Sequence, residues 1–150
     1  MSFSFRFWYK WLLIVSILLT LTGLVIGLCP NFFLFEFHTA SIVETFFNGN
    51  LSEEANKLRS FFYAPIGGTI AGYFLLQSFI VWKPFYNKEL WSWYAISGAL
   101  LLWFTVDSGL SIYHGAFFNV WMVNIWTLIL VGLPLLMTRH EFKKTNDPQS

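Results

Sequence analysis

One acidic side chain, Asp107, stands alone in a long apolar stretch of this sequence. No other Asp, Glu, Lys or Arg occurs between Leu90 and Thr138. A charged side chain at the centre of a transmembrane helix costs about 2.5–3.5 kcal/mol on insertion scales, so such residues are paired, turned toward protein, or functional. A carboxylate in this position either binds a proton or a ligand, or fastens helices together through hydrogen bonds.

Helical spacing selects the neighbours of Asp107. Residues four or seven positions apart share one face of a helix, and neighbouring helices bring further residues to the same depth. The candidate ligand or proton site therefore consists of Asp107, Ser111, His114, Asn124, Trp103 and Tyr73. Seven residues rise about 10.5 Å, so an Asp107–His114 relay requires Ser111 or water between them. Depth alone pairs Asn124 with Asp107, and Asn119 with His114.

Two interpretations of this polar set stay open. The favoured one is a hydrogen-bonded fastener between helices, because single interhelical bonds in membranes contribute only about 0.6 kcal/mol on average. The other is a ligand or proton site that opens to the outer face. We predict no catalytic residue, since His114 is the one further acid or base at hand and lies too far away.

Other chemistry finds little support. His38, His114 and His140 are scattered, and three ligands from Glu36, His38 and His114 would have to converge from separate segments, so we predict no metal site. The single cysteine, Cys29, excludes an internal disulfide and a cysteine-based metal site. No phosphate-binding glycine loop or dinucleotide motif occurs, and we predict no cofactor.

The composition places these residues in a membrane. Hydrophobic residues make up 56% of the 150 residues and charged residues only 11%, whereas a soluble domain carries about 25% charge. A net charge of +1 without a basic tract argues against nucleic acid as a partner.

Apolar windows define the elements that must position Asp107. A span needs about 20 residues, and the window from Leu90 to Thr138 is long enough for two, with a break at His114-Gly115-Ala116. We predict one all-α domain over residues 1–150, an integral membrane four-helix bundle. Its spans lie near residues 9–29, 62–82, 91–113 and 118–138.

Charge and aromatic residues predict the orientation. Seven of the nine basic residues lie on one side of these spans: Arg6, Lys10, Lys83, Lys88, Arg139, Lys143 and Lys144. The positive-inside rule then places both termini in the cytoplasm. Tryptophan and tyrosine residues, Trp11 among them, cluster at the same ends, as expected of an interfacial belt.

The long connection between the first two spans is expected outside the cytoplasm. Its front, from Asn31 to His38, is strongly aromatic and is predicted to lie on the membrane surface or fold back over the helices. Further on, Asn50 and Glu53 have the spacing of a helix cap, which predicts a short helix through Arg59 that runs toward span two.

Glycine spacing predicts how the helices pack. Gly23 and Gly27 in span one, and Gly68 and Gly72 in span two, are each four residues apart, with Gly67 and Ala71 in the adjoining register of span two. Missing side chains allow close backbone approach, which drives helix association in lipid. We favour packing within the chain over a homodimer seam.

Several motifs within residues 60–140 carry a resemblance: Gly67-Gly68-Thr69, Trp91-Ser92-Trp93 and Trp103-Phe104-x-x-Asp107-Ser108. They resemble small four-span bacterial inner-membrane proteins of uncharacterised function, and the arrangement is loosely similar to DoxX-like four-helix proteins. The resemblance implies a bacterial inner-membrane location and supplies no catalytic residue. DoxX-like proteins are associated with thiol and redox partners, which the lone Cys29 does not support.

Together these features favour a non-enzymatic bundle surrounded by membrane lipids. It would act by association with another membrane protein or with a second copy of itself. The alternative is a protein that binds a small molecule or lipid, or couples transport to protons, at the polar site around Asp107.

Overall fold

The computed structural model describes residues 3–143, and this part of the chain folds into helices and turns without a β-strand. The first three of its five helices are α1 (Phe3–Leu28), α2 (Glu36–Phe47) and α3 (Glu53–Ile80, continued by a π-helical turn, Val81–Phe85). They are followed by α4 (Leu90–Tyr113) and α5, which comprises Phe117–Asn119, a π-helical turn at Val120–Asn124, and Ile125–Lys143. The predicted all-α class is confirmed.

Four of these helices, α1, α3, α4 and α5, are long and apolar enough to cross a membrane. The protein is therefore an integral membrane helical bundle. All four begin before the predicted span limits: α1 at Phe3 and α3 at Glu53 do so by several residues, and the other two by one residue. Lys144, one of the basic residues used for the orientation, lies outside the described residues.

The connection between α1 and α3 contains one short helix, α2, formed by its aromatic front. The aromatic front forms a 3-10 turn, Phe33–Phe35, and then α2, whereas the segment through Arg59 is the first part of α3. The helix cap is Ser52 rather than Asn50, since the Ser52 hydroxyl accepts a hydrogen bond from the Ala55 amide at 3.2 Å.

The closest helix pairs form a row. α3 lies along α1, α1 lies along the Ile125–Lys143 part of α5, and α5 lies along α4. The two ends of the row, α3 and α4, meet through the turn at Val81–Phe85. Pro84 lies in this turn and has no amide hydrogen to donate to the carbonyl four residues before it. A helix can widen into a π turn where such a hydrogen bond is missing.

The two ends of the bundle differ in construction. One end, called the α2 end here, carries α2 and the turn between α4 and α5, where Gly115 has a φ of 76° that suits glycine. The other end, called the terminal end, joins the start of α1, the Val81–Phe85 turn and the end of α5. Its centre is a fully buried aromatic cluster of Phe5, Phe85 and Phe142.

Candidate functional site

Asp107 lies at the centre of a hydrogen-bond network near the α2 end. Its Oδ1 accepts from the Ser111 hydroxyl at 3.1 Å and from Asn119 Nδ2 at 2.9 Å. Asn119 Nδ2 also donates to the Ser111 hydroxyl at 2.9 Å. α4 supplies Asp107 and Ser111 one turn apart, and α5 supplies Asn119 from its first turn. The network therefore ties the two helices together beside their connecting turn.

A third helix joins the network through His38 of α2. The Nε2 atom of His38 lies 3.4 Å from Asn119 Oδ1. The orientation of the Asn119 amide is set by its other contacts, because Nδ2 faces Asp107 and Ser111, which leaves only the oxygen for His38. An amide oxygen only accepts, so His38 Nε2 carries the hydrogen. The result is a chain of bonds that all point from His38 through Asn119 to Asp107.

The site is half-buried. Asp107, Ser111, Asn119 and His38 are each partly covered, and the His38 ring packs edge-on against Phe118 with the ring centres 5.3 Å apart. Burial lowers the pKa of the His38 imidazole below its usual value, against the opposing effect of the hydrogen bond to Asn119. Burial therefore favours the neutral form of the His38 ring while α2 is in place.

Asn124 does not meet Asp107. It is fully buried, and its Nδ2 donates to the Ser108 hydroxyl at 3.0 Å, one residue beyond Asp107 on the neighbouring face of α4. Equal depth gives only the height of a side chain, whereas its direction depends on helix rotation, and the π-helical turn at Val120–Asn124 changes that rotation. Asn119, rather than the predicted Asn124, is the asparagine of α5 that bonds to Asp107.

Three other candidates lie apart from the network. His114 is exposed at the end of α4, where its ring contacts Tyr113. Trp103 and Tyr73 are half-buried and pack against the apolar core of the bundle. The histidine that joins the network is therefore His38, through its contact with Asn119. It comes from a distant segment and was absent from the predicted site.

Two of the four predicted packing glycines lie at the contact between α1 and α3. A Cβ built on Gly23 would lie 2.5 Å from the Ala71 amide nitrogen, and one on Gly27 would lie 3.4 Å from the Ala64 carbonyl oxygen. The facing glycine of α3 is Gly67, whose Cβ would collide with backbone atoms of Gly23 and Gly27. Backbone contact leaves no room for a side chain at Gly23 or Gly67, whereas a Cβ at Gly27 would make an ordinary van der Waals contact.

Gly68 and Gly72 do not lie at this contact. A Cβ on either would meet no atom within 4 Å, and both residues are exposed. One residue of offset rotates a side chain by about 100° around a helix, so only one of the two adjoining registers can face α1. The structure uses the register of Gly67 and Ala71.

A bond from Trp11 to the Leu130 carbonyl joins the two halves of the row. Trp11 Nε1 donates to this oxygen at 3.1 Å. Pro134 stands four residues beyond Leu130 and has no amide hydrogen for that carbonyl. Trp11 therefore supplies a donor that the helix itself lacks. The presence of Pro134 in a predicted helix shows that the Leu130 carbonyl needs another donor, but the sequence alone does not identify Trp11 as that donor.

Two further polar contacts were not predicted. Gln77 Nε2 donates to the buried Ser16 hydroxyl at 2.9 Å and links α3 to α1. At the terminal end, Lys88 Nζ lies 2.6 Å from a carboxylate oxygen of Glu141 and 5.0 Å from the centre of the Phe5 ring. Both contacts hold helices together away from Asp107.

The described residues contain no group of three His, Cys, Asp or Glu side chains that would hold a metal ion. A surface cavity of about 480 Å³ lies beside α2 and is lined by Asn31, Phe32, Glu36, Thr39, Ala40, Val43, Glu44 and Gly49. Arg59 borders it, bonding to Asn31 at 2.8 Å and Thr39 at 3.4 Å.

No family model, curated protein or solved structure matches the chain. The resemblance to four-span inner-membrane proteins stays a prediction.

Proposed function

We propose that the protein is a non-enzymatic membrane bundle that associates with another membrane protein along the outer face of α3. The observation that carries this proposal is the outward position of Gly68 and Gly72. The internal contact with α1 uses Gly67 and Ala71, so the second small-residue pair of α3 is left free for an external helix.

The shape of the bundle supports this surface. α3 lies at one end of the helix row, with α1 as its extensive neighbour. Residues at helical spacing continue the stripe from Gly68 and Gly72 toward the terminal end, and the large members are about half exposed: Leu75 48% and Phe79 55%. Small residues flanked by apolar ones allow close helix approach, which is the main source of helix association in lipid.

Site-specific crosslinking in cells tests the proposal. A photoreactive side chain at Leu75 should give one discrete protein adduct, and Gly72→Leu should abolish that adduct because leucine fills the close approach. Gly98→Leu is the matched control, since Gly98 of α4 is exposed and has nothing within 4 Å of a built Cβ. An adduct unchanged by Gly72→Leu, or equal labelling from Leu102 of α4, would refute the surface.

The same experiment separates a foreign partner from a second copy. Two differently tagged chains expressed together should not be joined in one adduct if the partner is another membrane protein. A mixed-tag adduct through Leu75 would instead identify a homodimer on this face.

We further propose a bacterial inner-membrane location with both termini in the cytoplasm. The distribution of basic residues supports this orientation, since Lys57 and Arg59 are the two that lie toward the α2 end. A reporter active only in the cytoplasm should be active when fused after Ser150 and inactive when inserted at Gly49 between α2 and α3. The reverse pattern would overturn the orientation.

A second function, ligand or proton binding at Asp107, is favoured by one specific observation. Asp107 is half-buried, and only its Oδ1 is engaged by Ser111 and Asn119 within the described residues. The other carboxylate oxygen is left for a proton or a cationic group. Asp107→Asn should abolish thermal stabilisation by primary-amine ligands while Ser108→Ala preserves it, and equal stabilisation of both variants would exclude the site.

A further inference from the structure

We propose that α2 is a lid over the Asp107 network, that His38 is its latch, and that protonation of His38 releases the lid. The inference does not depend on association through α3. It adds to the second function, because it states what would control access to Asp107.

The first support is the light attachment of α2. This helix has no fully buried residue, and its aromatic residues stay largely outside the core: Phe37 is 65% and Phe46 49% exposed. Its polar contacts with the other helices are the His38–Asn119 bond and the Arg59–Thr39 bond, both 3.4 Å long. An element with few buried contacts opens more readily than one that is part of the core.

The second support is the direction of the bonds. Asn119 presents its oxygen to His38 because its nitrogen is engaged by Asp107 and Ser111. The neutral His38 ring, with hydrogen on Nε2, already satisfies this acceptor. Protonation at Nδ1 adds a charge and a second donor, yet it adds no bond to Asn119. The protonated ring is therefore better accommodated in water than under the lid.

The charged groups around His38 act in opposite directions, and burial of the ring sets the sign of the effect. Asp107 of α4 is one side chain away through Asn119 and favours the protonated ring, whereas Arg59 of α3 is bonded to the adjacent Thr39 and disfavours it. Glu36 lies on α2 itself, two residues before His38, and is exposed. Burial is the larger influence on the ring and lowers the pKa of His38.

A pKa that is lower in the latched state means that the released state binds more protons. Latching is therefore strong at a pH above the ordinary histidine pKa of about 6.5 and weakens as the pH falls below it. Each unit of difference in pKa between the two states changes the latching equilibrium by about tenfold at low pH. Release breaks the bond to Asn119 and so uncovers the Asn119 side of the Asp107 network.

Distance measurement between two spin labels tests this switch. In a Cys29→Ser background, labels at Ala40 of α2 and Phe117 of α5 occupy exposed positions on the two elements that the latch joins. In nanodiscs of phosphatidylcholine and phosphatidylglycerol, the labels should give one short distance at about pH 8 and a longer, broader distribution at about pH 5.

Two variants complete the experiment. His38→Gln keeps an amide donor near the position of Nε2 and does not titrate, so its distances should stay short at both pH values. Asn119→Leu removes the acceptor and should give the long distribution at both. A pH response that persists in His38→Gln, or a wild-type distance that does not change, would overturn the proposal.

Hydrogen exchange gives a second measurement on the unlabelled chain, in case a variant fails to fold. Amides of residues 36–47 should exchange faster at about pH 5 than at pH 8 after correction for intrinsic rates, with residues 90–113 unchanged. Equal protection of residues 36–47 at both pH values would also refute the latch. Loss of the crosslink through α3 would leave this result unaffected.

Discussion

The two antiparallel helix pairs of the bundle are held together by different interactions. α1 and α3 meet mainly backbone to backbone, because Gly23 and Gly67 have no side chains to separate them, and the bond from Gln77 to Ser16 adds to this contact. α4 and α5 are joined by hydrogen bonds, from Asn119 to Asp107 and from Asn124 to Ser108. The first pair depends on excluding atoms from the contact, and the second on placing polar atoms at the correct distance.

The difference predicts unequal tolerance to substitution. A side chain added at a backbone contact can be relieved only by moving a whole helix, since no flexible neighbour can give way. A missing interhelical hydrogen bond is less costly, because polar groups find other partners even in the membrane. A conformational change at the α4–α5 pair is therefore expected to cost less free energy than one at the α1–α3 pair. The α4–α5 pair is also where α2 is attached.

The largest effect is expected from Gly67→Leu. Leucine at this position collides with the backbone of Gly23 and Gly27, so we expect a loss of at least about 1–3 kcal/mol in the free energy of unfolding. Unfolding in mixed micelles with increasing denaturing detergent would measure it. Gly68→Leu is the neighbouring control, since its side chain points into open space, and a similar loss in both variants would contradict the backbone contact.

A smaller effect is expected from Trp11→Phe, which removes the bond that joins the two pairs. The Leu130 carbonyl would then lack both Trp11 and an amide of Pro134, and the lost hydrogen bond should lower the free energy of unfolding by about 1 kcal/mol.

Pro134→Ala provides the control for this prediction. Alanine restores an amide hydrogen for the Leu130 carbonyl, so Trp11→Phe should cost less in the Pro134→Ala background than in the wild type. An equal cost in both backgrounds would show that Trp11 acts through packing and not through this bond.

The smallest effect is expected from Asn124→Leu. The substitution removes one interhelical bond to Ser108 and the unpartnered Asn124 Oδ1 together, so the free energy of unfolding should fall by about 0.6 kcal/mol and by no more than about 1.7. The same detergent titration measures it. A loss as large as that of Gly67→Leu would remove the distinction between the two helix pairs.

The fold was largely predictable, and the site only in part. Long uncharged windows predict transmembrane helices because lipid offers no partner to backbone polar groups. The Asp107–Ser111 contact followed from helical spacing alone, since both residues lie on α4. The partners from other helices did not follow. The rotation of α5 brings Asn119 to Asp107, and the placement of α2 brings His38 to Asn119. Neither the rotation nor the placement can be read from the periodicity of the sequence.

Hydropathy and charge along the chain are enough to predict a membrane bundle with one isolated acidic residue, because both act locally. Three further features are visible only in the folded chain: which of two glycine registers faces α1, which asparagine bonds to Asp107, and which histidine completes the chain of bonds. Each of these choices depends on helix rotation. Rotation is set by how all side chains pack at once, and a difference of one residue turns a contact into an exposed surface.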